Sequence, residues 1–554
     1  MSKIAQQLID INLLTKAPEL DLGYCGLDGT EDELFAQLAE ADHLKTLILS
    51  DDYSMYDESS GKFLVVHNNH KGMSTRIKQI PNQLPPSLQS LFLGKFMIED
   101  ADDVLEPKNI QTIAQLKHLQ ILHLYGYILN DLSFLHGLPQ LFELNISSSL
   151  VDTSFFTSDF AQIEFLIARD CGLTDTNLTF LTLFKNLRHL DLSCNHIQGF
   201  ESFLHLYQLT SLHLASNRFA HLHLFQCLPQ LEKLYIADND IEELNGIEHL
   251  TRLRGLDLDG NLLDDLSPIK HFYHLELLSV NDNLIDDLSP IAHLTKLQYL
   301  NLGQNEYLEI TALKNLKSLQ VLGLYSGALD TEDILFLKDF KQLKRLNLGD
   351  NDITDLDMFK HMPQLKMLNL SDNEIENIDD LWGLTNLQWL NISDNQVTNI
   401  DCLNMLDNLR FLMMSNNHIE NIDSLKYLLK LKVLDIGENH IEDISPLLNL
   451  PELGVIRLNP KSVPYLPIAI VLAFCRGEHA YDYQNEPELP AIHEIYPLMM
   501  STDKSHQALA AQLMEKNHWT PKQIEMYQQT IEFYEEKVMK TDDNIMELYF
   551  AKEW

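Results

Sequence analysis

Leu231-Glu-Lys-Leu-Tyr-Ile-Ala-Asp-Asn239-Asp-Ile241 is written again as Leu253-Arg-Gly-Leu-Asp-Leu-Asp-Gly-Asn261-Leu-Leu263 and as Leu275-Glu-Leu-Leu-Ser-Val-Asn-Asp-Asn283-Leu-Ile285, each time after 22 residues. With the first Leu of L-x-x-L-x-L-x-x-N-x-L as a marker, the register runs 187, 209, 231, 253, 275, 297 and 319. After one step of 24 it resumes at 343, 365, 387, 409, 431 and 453. Weaker copies begin at 17, 44, 88, 119, 141 and 163. A repeat this short cannot bury its own apolar face, so it must stack on its neighbours, and a fixed period of this length marks a solenoid.

Within each copy the L-x-L alternation predicts a strand of about three residues, with Leu234 and Ile236 inward and Lys233, Tyr235 and Ala237 outward. One strand per turn builds a parallel sheet along one side of the coil. The Asn at the ninth position, from Asn195 and Asn217 through Asn351 and Asn373 to Asn439, turns the chain out of the strand, and its amide satisfies backbone groups there.

These residues resemble the leucine-rich-repeat family, and the continuation Ile375-Glu-Asn-Ile378, Leu381, Leu384, Leu387 resembles its short, 22-residue internalin-like class. The resemblance implies an α/β fold, a right-handed leucine-rich-repeat solenoid. A curved parallel β-sheet would line its concave side, 3-10 or irregular turns its convex side, and helices would cap it. It also implies a non-catalytic interaction module, without naming a partner.

Composition narrows the partners. The formal charge is 40 − 81 = −41, which argues against the phosphate backbone of nucleic acid and against an anionic membrane surface, and for a protein that is neutral or basic at the contact. Six cysteines without a C-x-x-C pair fit a reducing compartment. Met1 to Asn12 lack the apolar run of a secretion signal, and the longest span candidate, Ile468 to Phe474, falls well short of about 20 residues. The expectation is a soluble, cytoplasmic protein, with export by a signal-less route left open.

In chain order, 1–16 reads as a capping helix with Ile4, Leu8, Ile11 and Leu14 at helical spacing. The solenoid occupies 17–463. An insertion at about 51–86 breaks its register, and Phe63–Val66 with Thr75–Ile80 reads there as a hairpin. Beyond it, 464–554 reads as a helical cap or small module, with amphipathic stretches at Ser505–Asn517 and Pro521–Lys540.

The candidate binding surface comes from the outward columns. Early repeats carry a mixed third position: Glu143, Phe165, His189, Ser211, Lys233 and Gly255. Later ones carry Leu277, Tyr299, Val321, Arg345, Met367, Trp389, Phe411, Val433 and Val455, nearly all apolar. Two residues along on the same face lie Asn391 and Met413. Large apolar groups in a row on a solvated face mark a binding site. The partner-binding residues expected are therefore Tyr299, Arg345, Met367, Trp389, Asn391, Phe411, Met413 and Val433. Asp350, Asp372, Asp394 and Glu438 form an acidic rim suited to a basic partner.

Enzyme chemistry is not expected. The chain has no G-x-x-x-x-G-K-[ST], no H-E-x-x-H and no G-x-S-x-G. Asp257-Leu-Asp259-Gly-Asn261 lacks the ligand set of a calcium loop, so no metal or cofactor is expected. Cys475-Arg-Gly-Glu-His479 does not match the Cys-x-Asp motif of the bacterial ubiquitin ligases that carry such repeats. Protein binding on the concave face is the expected function. The alternatives are an effector or toxin-system component in which 464–554 is the working part, and an enzyme built on Cys475 and His479.

Overall fold

The computed structural model describes residues 3–57, 62–67, 73–95, 104–156, 160–199 and 204–457, apart from 224, 308, 442, 444–445, 448–449 and 454, and also 480–481. The expectations for Ser505–Asn517, Pro521–Lys540, Cys475 and His479, and all of 464–554 but Ala480–Tyr481, lie outside the described residues. The chain divides into two compact units, Met1–Leu297 and Gln298–Trp554.

Each unit is built on a parallel sheet with one short strand per repeat. In the first unit the strands run from Glu19–Asp21 and Thr46–Ser50, through Ser90–Gly94, Ile121–Tyr125 and Glu143–Asn145, to Leu277–Ser279. In the second they run from Tyr299–Asn301 to Val455–Arg457, with Ala480–Tyr481 beside the last. Each sheet strand from Glu19–Asp21 to Val455–Arg457 begins two residues after its marker, so the L-x-L text places these strands.

The opposite side of each coil is made of short 3-10 turns, among them Asp357–His361, Asp379–Gly383, Asp401–Met405 and Asp423–Tyr427. An Asp or Asn two residues upstream starts each one: Asn377 Oδ1 accepts the Asp379 N–H at 2.7 Å, and Asn421 Oδ1 that of Asp423 at 2.7 Å. The i, i+3 apolar series Ile375, Ile378, Leu381, Leu384 is buried completely, and this spacing suits a 3-10 turn. The asparagine ladder works as its position implies. Asn395 Nδ2 donates to the carbonyls of Leu370 at 2.8 Å, Ile392 at 3.2 Å and Ser393 at 3.0 Å, and its Oδ1 accepts the Ile375 N–H at 3.0 Å.

Two features of the N-terminal end differ from the sequence expectation. The first helix, Lys3–Thr15, buries Ala5, Ile9 and Asn12, leaving Ile4, Ile11 and Leu14 exposed. Asn12 turns the face, because its Nδ2 donates to the Ala17 carbonyl at 3.0 Å and to that of Glu19 at 2.9 Å, tying the helix to the first strand. The hairpin in the insertion pairs Asp52–Asp57 with Lys62–His67, not 63–66 with 75–80. Thr75 instead joins the core: its N–H donates to Asp51 at 2.9 Å and its Oγ1 to the Leu22 carbonyl at 3.1 Å.

That hairpin covers the outer face of the first sheet. Tyr53 packs on Phe92 with ring centroids 4.9 Å apart, in a cluster with Ile48 and Tyr125. Beside it His123 is buried, with Nδ1 2.6 Å from the Tyr125 hydroxyl and Nε2 2.7 Å from Glu143 Oε1.

Candidate functional site

The residues expected to bind a partner lie together in the second unit, on strands that run from Tyr299–Asn301 to Val433–Asp435. Alternation sends Leu346, Leu368, Leu390 and Leu412 into the core, and the residues flanking each of them take the other face. The register sets Arg345 beside Met367, Met367 beside Trp389, Trp389 beside Phe411, and Phe411 beside Val433.

The expectation that this row stands uncovered is corrected. Met367, Trp389 and Met413 are 3%, 4% and 4% exposed and form one packed cluster, with Phe411 partly buried against it. Val433 and Asn391 are buried as well. Neighbouring strands lie about 4.8 Å apart, so an indole and two thioether chains in adjacent positions pack on one another instead of standing free. Tyr299, Arg345 and Phe411 keep intermediate exposure.

Asn391 also has a local task. Its Oδ1 accepts the Ser393 N–H at 2.9 Å, as Asn369 accepts that of Ser371 at 3.1 Å and Asn347 that of Gly349 at 3.1 Å. Asn369 Nδ2 links two of these posts by donating to Asn347 Oδ1 at 2.9 Å. This column holds the bend from strand to turn, a role that an outward position in the sequence does not disclose.

The rim residues Asp350, Asp372, Asp394 and Glu438 occupy the same turn of their repeats, with φ of 54°, 50°, 56° and 46°. Left-handed backbone disfavours most side chains but is tolerated by Asp and Asn, which accounts for the residue type at three of the four. Their N–H groups tie each turn to the next repeat, Asp350 to the Ser371 carbonyl at 2.8 Å and Asp372 to that of Ser393 at 3.0 Å. Ser326 donates to Asp350 at 2.6 Å and Asn416 to Asp394 at 2.6 Å. Among the described residues no ion pair reaches Asp350, Asp372 or Asp394. Burial, followed by the charges of Asp394 and Asp350, pushes the Asp372 carboxyl above its ordinary pKa.

Among the described residues no group of three or more His, Cys, Asp or Glu side chains could hold a metal ion. Asp259 is engaged locally, accepting from Ser279 Oγ at 2.9 Å and the Asn281 N–H at 2.7 Å. Cys25, Cys171, Cys194, Cys227 and Cys402 are free thiols. No helix among the described residues is long and apolar enough to cross a membrane.

A coil of parallel strands, 3-10 turns and an asparagine ladder defines the leucine-rich-repeat class. Family models agree: one for leucine rich repeats matches 317–375 and 341–397, a two-copy model matches 229–271 and 385–427, and a single-repeat model matches 186–206. The chain carries leucine-rich repeats, and these are of the short internalin-like type. A leucine-rich-repeat protein of Leptospira interrogans is 26% identical with a TM-score of 0.50, the match covering 70% of this chain and 95% of that one. An internalin of Listeria monocytogenes is 32% identical with a TM-score of 0.47, over 50% of this chain and 81% of that one. Receptor-like protein 7 of Arabidopsis thaliana is 33% identical over 120 residues, which is 21% of this chain and 12% of that protein's own length. Leucine-rich-repeat domains commonly mediate protein–protein interaction and are generally non-catalytic.

Proposed function

We propose that the protein is a non-catalytic interaction module that binds another protein on the sheet face of the unit Gln298–Trp554. Tyr299, Arg345 and Phe411 make the contact over a floor of Met367, Trp389, Met413 and Val433. Asp350, Asp372, Asp394 and Glu438 border it.

The rim is the observation that supports this reading. Three carboxylates stand on successive repeats about 4.8 Å apart, and no ion pair neutralises them among the described residues. Like charges on neighbouring strands repel, and a cationic segment laid along them relieves that repulsion while fixing the register of binding. The −41 charge of the chain likewise disfavours nucleic acid and anionic membrane as the partner. Free thiols at the five described cysteines support a cytoplasmic setting.

Photo-crosslinking in the producing cell tests the proposal. A photo-reactive phenylalanine analogue at position 299 or 411 should capture the same protein, while the probe at exposed Thr251 should not. The combined variant Asp350→Asn, Asp372→Asn, Asp394→Asn should cut the yield several-fold without lowering the thermal midpoint. Equal labelling at Thr251, or a yield indifferent to the carboxylates, would remove the proposal.

A further inference from the structure

On the turn side of the second unit, away from the strip just described, the helices Asp379–Gly383, Asp401–Met405 and Asp423–Tyr427 stack on successive repeats. Each buries one leucine, Leu381, Leu403 or Leu425, which completes its share of the core. Each also turns a large apolar side chain outward: Trp382 is 54% exposed, Met405 51% and Tyr427 56%, and Leu429 beyond them is 54% exposed. The coil does not need these residues, since the preceding repeat has Lys360 and His361 at the matching positions. Large apolar groups exposed on three consecutive turns are a patch, not the scattered singles of an ordinary surface.

An acidic edge runs beside the row. Asp379, Asp401 and Asp423 open the three helices, are exposed, and belong to no ion pair among the described residues. A cation already lies against one of the rings, the Lys426 ammonium 5.3 Å from the centroid of Tyr427.

We propose that this turn face docks a helix of a partner protein whose apolar stripe is bordered by lysine or arginine. One apolar side chain per repeat, spaced about 4.8 Å, meets one per turn of a helix of about 5.4 Å pitch. The carboxylates meet the basic border, so helix-in-groove anchoring and charge complementarity act together. A second copy of this chain is disfavoured as the occupant, because it would bring a further charge of −41 against an edge that is itself acidic. The surface goes beyond the strip reading, and strip variants leave it intact.

The probe is a labelled helical peptide of about 18 residues of leucine and lysine with one apolar face, set against a scrambled peptide of identical composition. Fluorescence anisotropy on the full chain should show the amphipathic peptide binding about tenfold more tightly than the scrambled one. The preference should vanish in Trp382→Ser, Met405→Ser, Tyr427→Ser. Asp379→Asn, Asp401→Asn, Asp423→Asn should flatten its salt dependence. On the unaltered chain, a photo-crosslinker in the peptide should map to residues 379–429. Equal affinity of the two peptides, a preference that survives the triple serine variant, or labelling elsewhere would overturn the proposal. So would sedimentation showing a dimer that the serine variant abolishes, since a second copy would then own the face.

Discussion

Two stretches of the same kind of sheet treat their outer faces differently. Near the N-terminus, Ile48, Phe92 and Tyr125 are covered by a segment the chain inserts for the purpose, with Tyr53 set on Phe92 at 4.9 Å. In the second unit, Met367, Trp389 and Met413, with Phe411 against them, pack on one another from three successive strands. The first arrangement depends on one distant element. The second depends on the repeat, which delivers large side chains to the same place every 22 residues. An outward position in a solenoid is therefore not an exposed position, since large side chains on the strands either side pack against it.

The sharpest way to break this comparison is to remove one member of the self-packed column. Trp389→Ala deletes a side chain that is 4% exposed and should cost about 3–5 kcal/mol, as large-to-small changes in a core do. Trp382→Ala, on the turn side and 54% exposed, should change stability by no more than about 0.5 kcal/mol. Urea unfolding of both variants makes the measurement, and equal effects would show that the cluster is not core-like. Loss of binding in Trp389→Ala would consequently say little about a docking site, which is why the partly open Phe411 and Tyr299 are better probes.

A smaller effect sharpens the other half. Tyr53→Ala should cost about 2–3 kcal/mol, because the tyrosine is 9% exposed and its loss leaves the Phe92 face bare. Repeats interact mainly with their neighbours, so the damage should stay local. Hydrogen exchange should accelerate across Asp52–His67 and remain unchanged across Met367–Met413. Faster exchange at both would mean that the two faces are coupled.

What the sequence discloses follows from how local the cause is. Strand positions are legible to the residue, since the Leu columns, the Asn ladder and the strand face are fixed within a single repeat. Membership of the strip is legible for the same reason: Tyr299, Met367, Trp389 and Phe411 do share one face. Their burial is not, because it involves side chains 22 residues away in sequence, which no single repeat discloses. Hydropathy alone points to the wrong face of the first helix because Asn12, a polar residue, is the one that ties it down. In the insertion, the polar alternation of Thr75–Ile80 draws the pairing of Phe63–Val66 to the wrong side, since the strand that pairs with it is the preceding Asp52–Asp57.

The smallest expected effect concerns the edge of the self-packed column, where burial and repulsion meet. Asp372 has its carboxyl pushed up from 3.8 by burial, then by Asp394 and Asp350. Between 3.8 and that raised value the native state binds more protons than the unfolded chain. Stability should therefore fall as pH rises through the window, and the full penalty should persist above it. Asp372→Asn removes the penalty, so at neutral pH it should stabilise the protein by less than about 1 kcal/mol, solvent screening keeping the gain small. The gain should shrink to nothing as pH falls below 3.8. Asp357 supplies the opposite case: Lys360 at 2.8 Å holds its carboxyl below the ordinary value, so Asp357→Asn should lose stability at neutral pH and recover parity in acid. Thermal midpoints of both variants across the acid range decide the matter. If Asp372→Asn destabilises at neutral pH, the rim is not a stack of unrelieved charge, and the case for a cationic partner along it loses its physical basis.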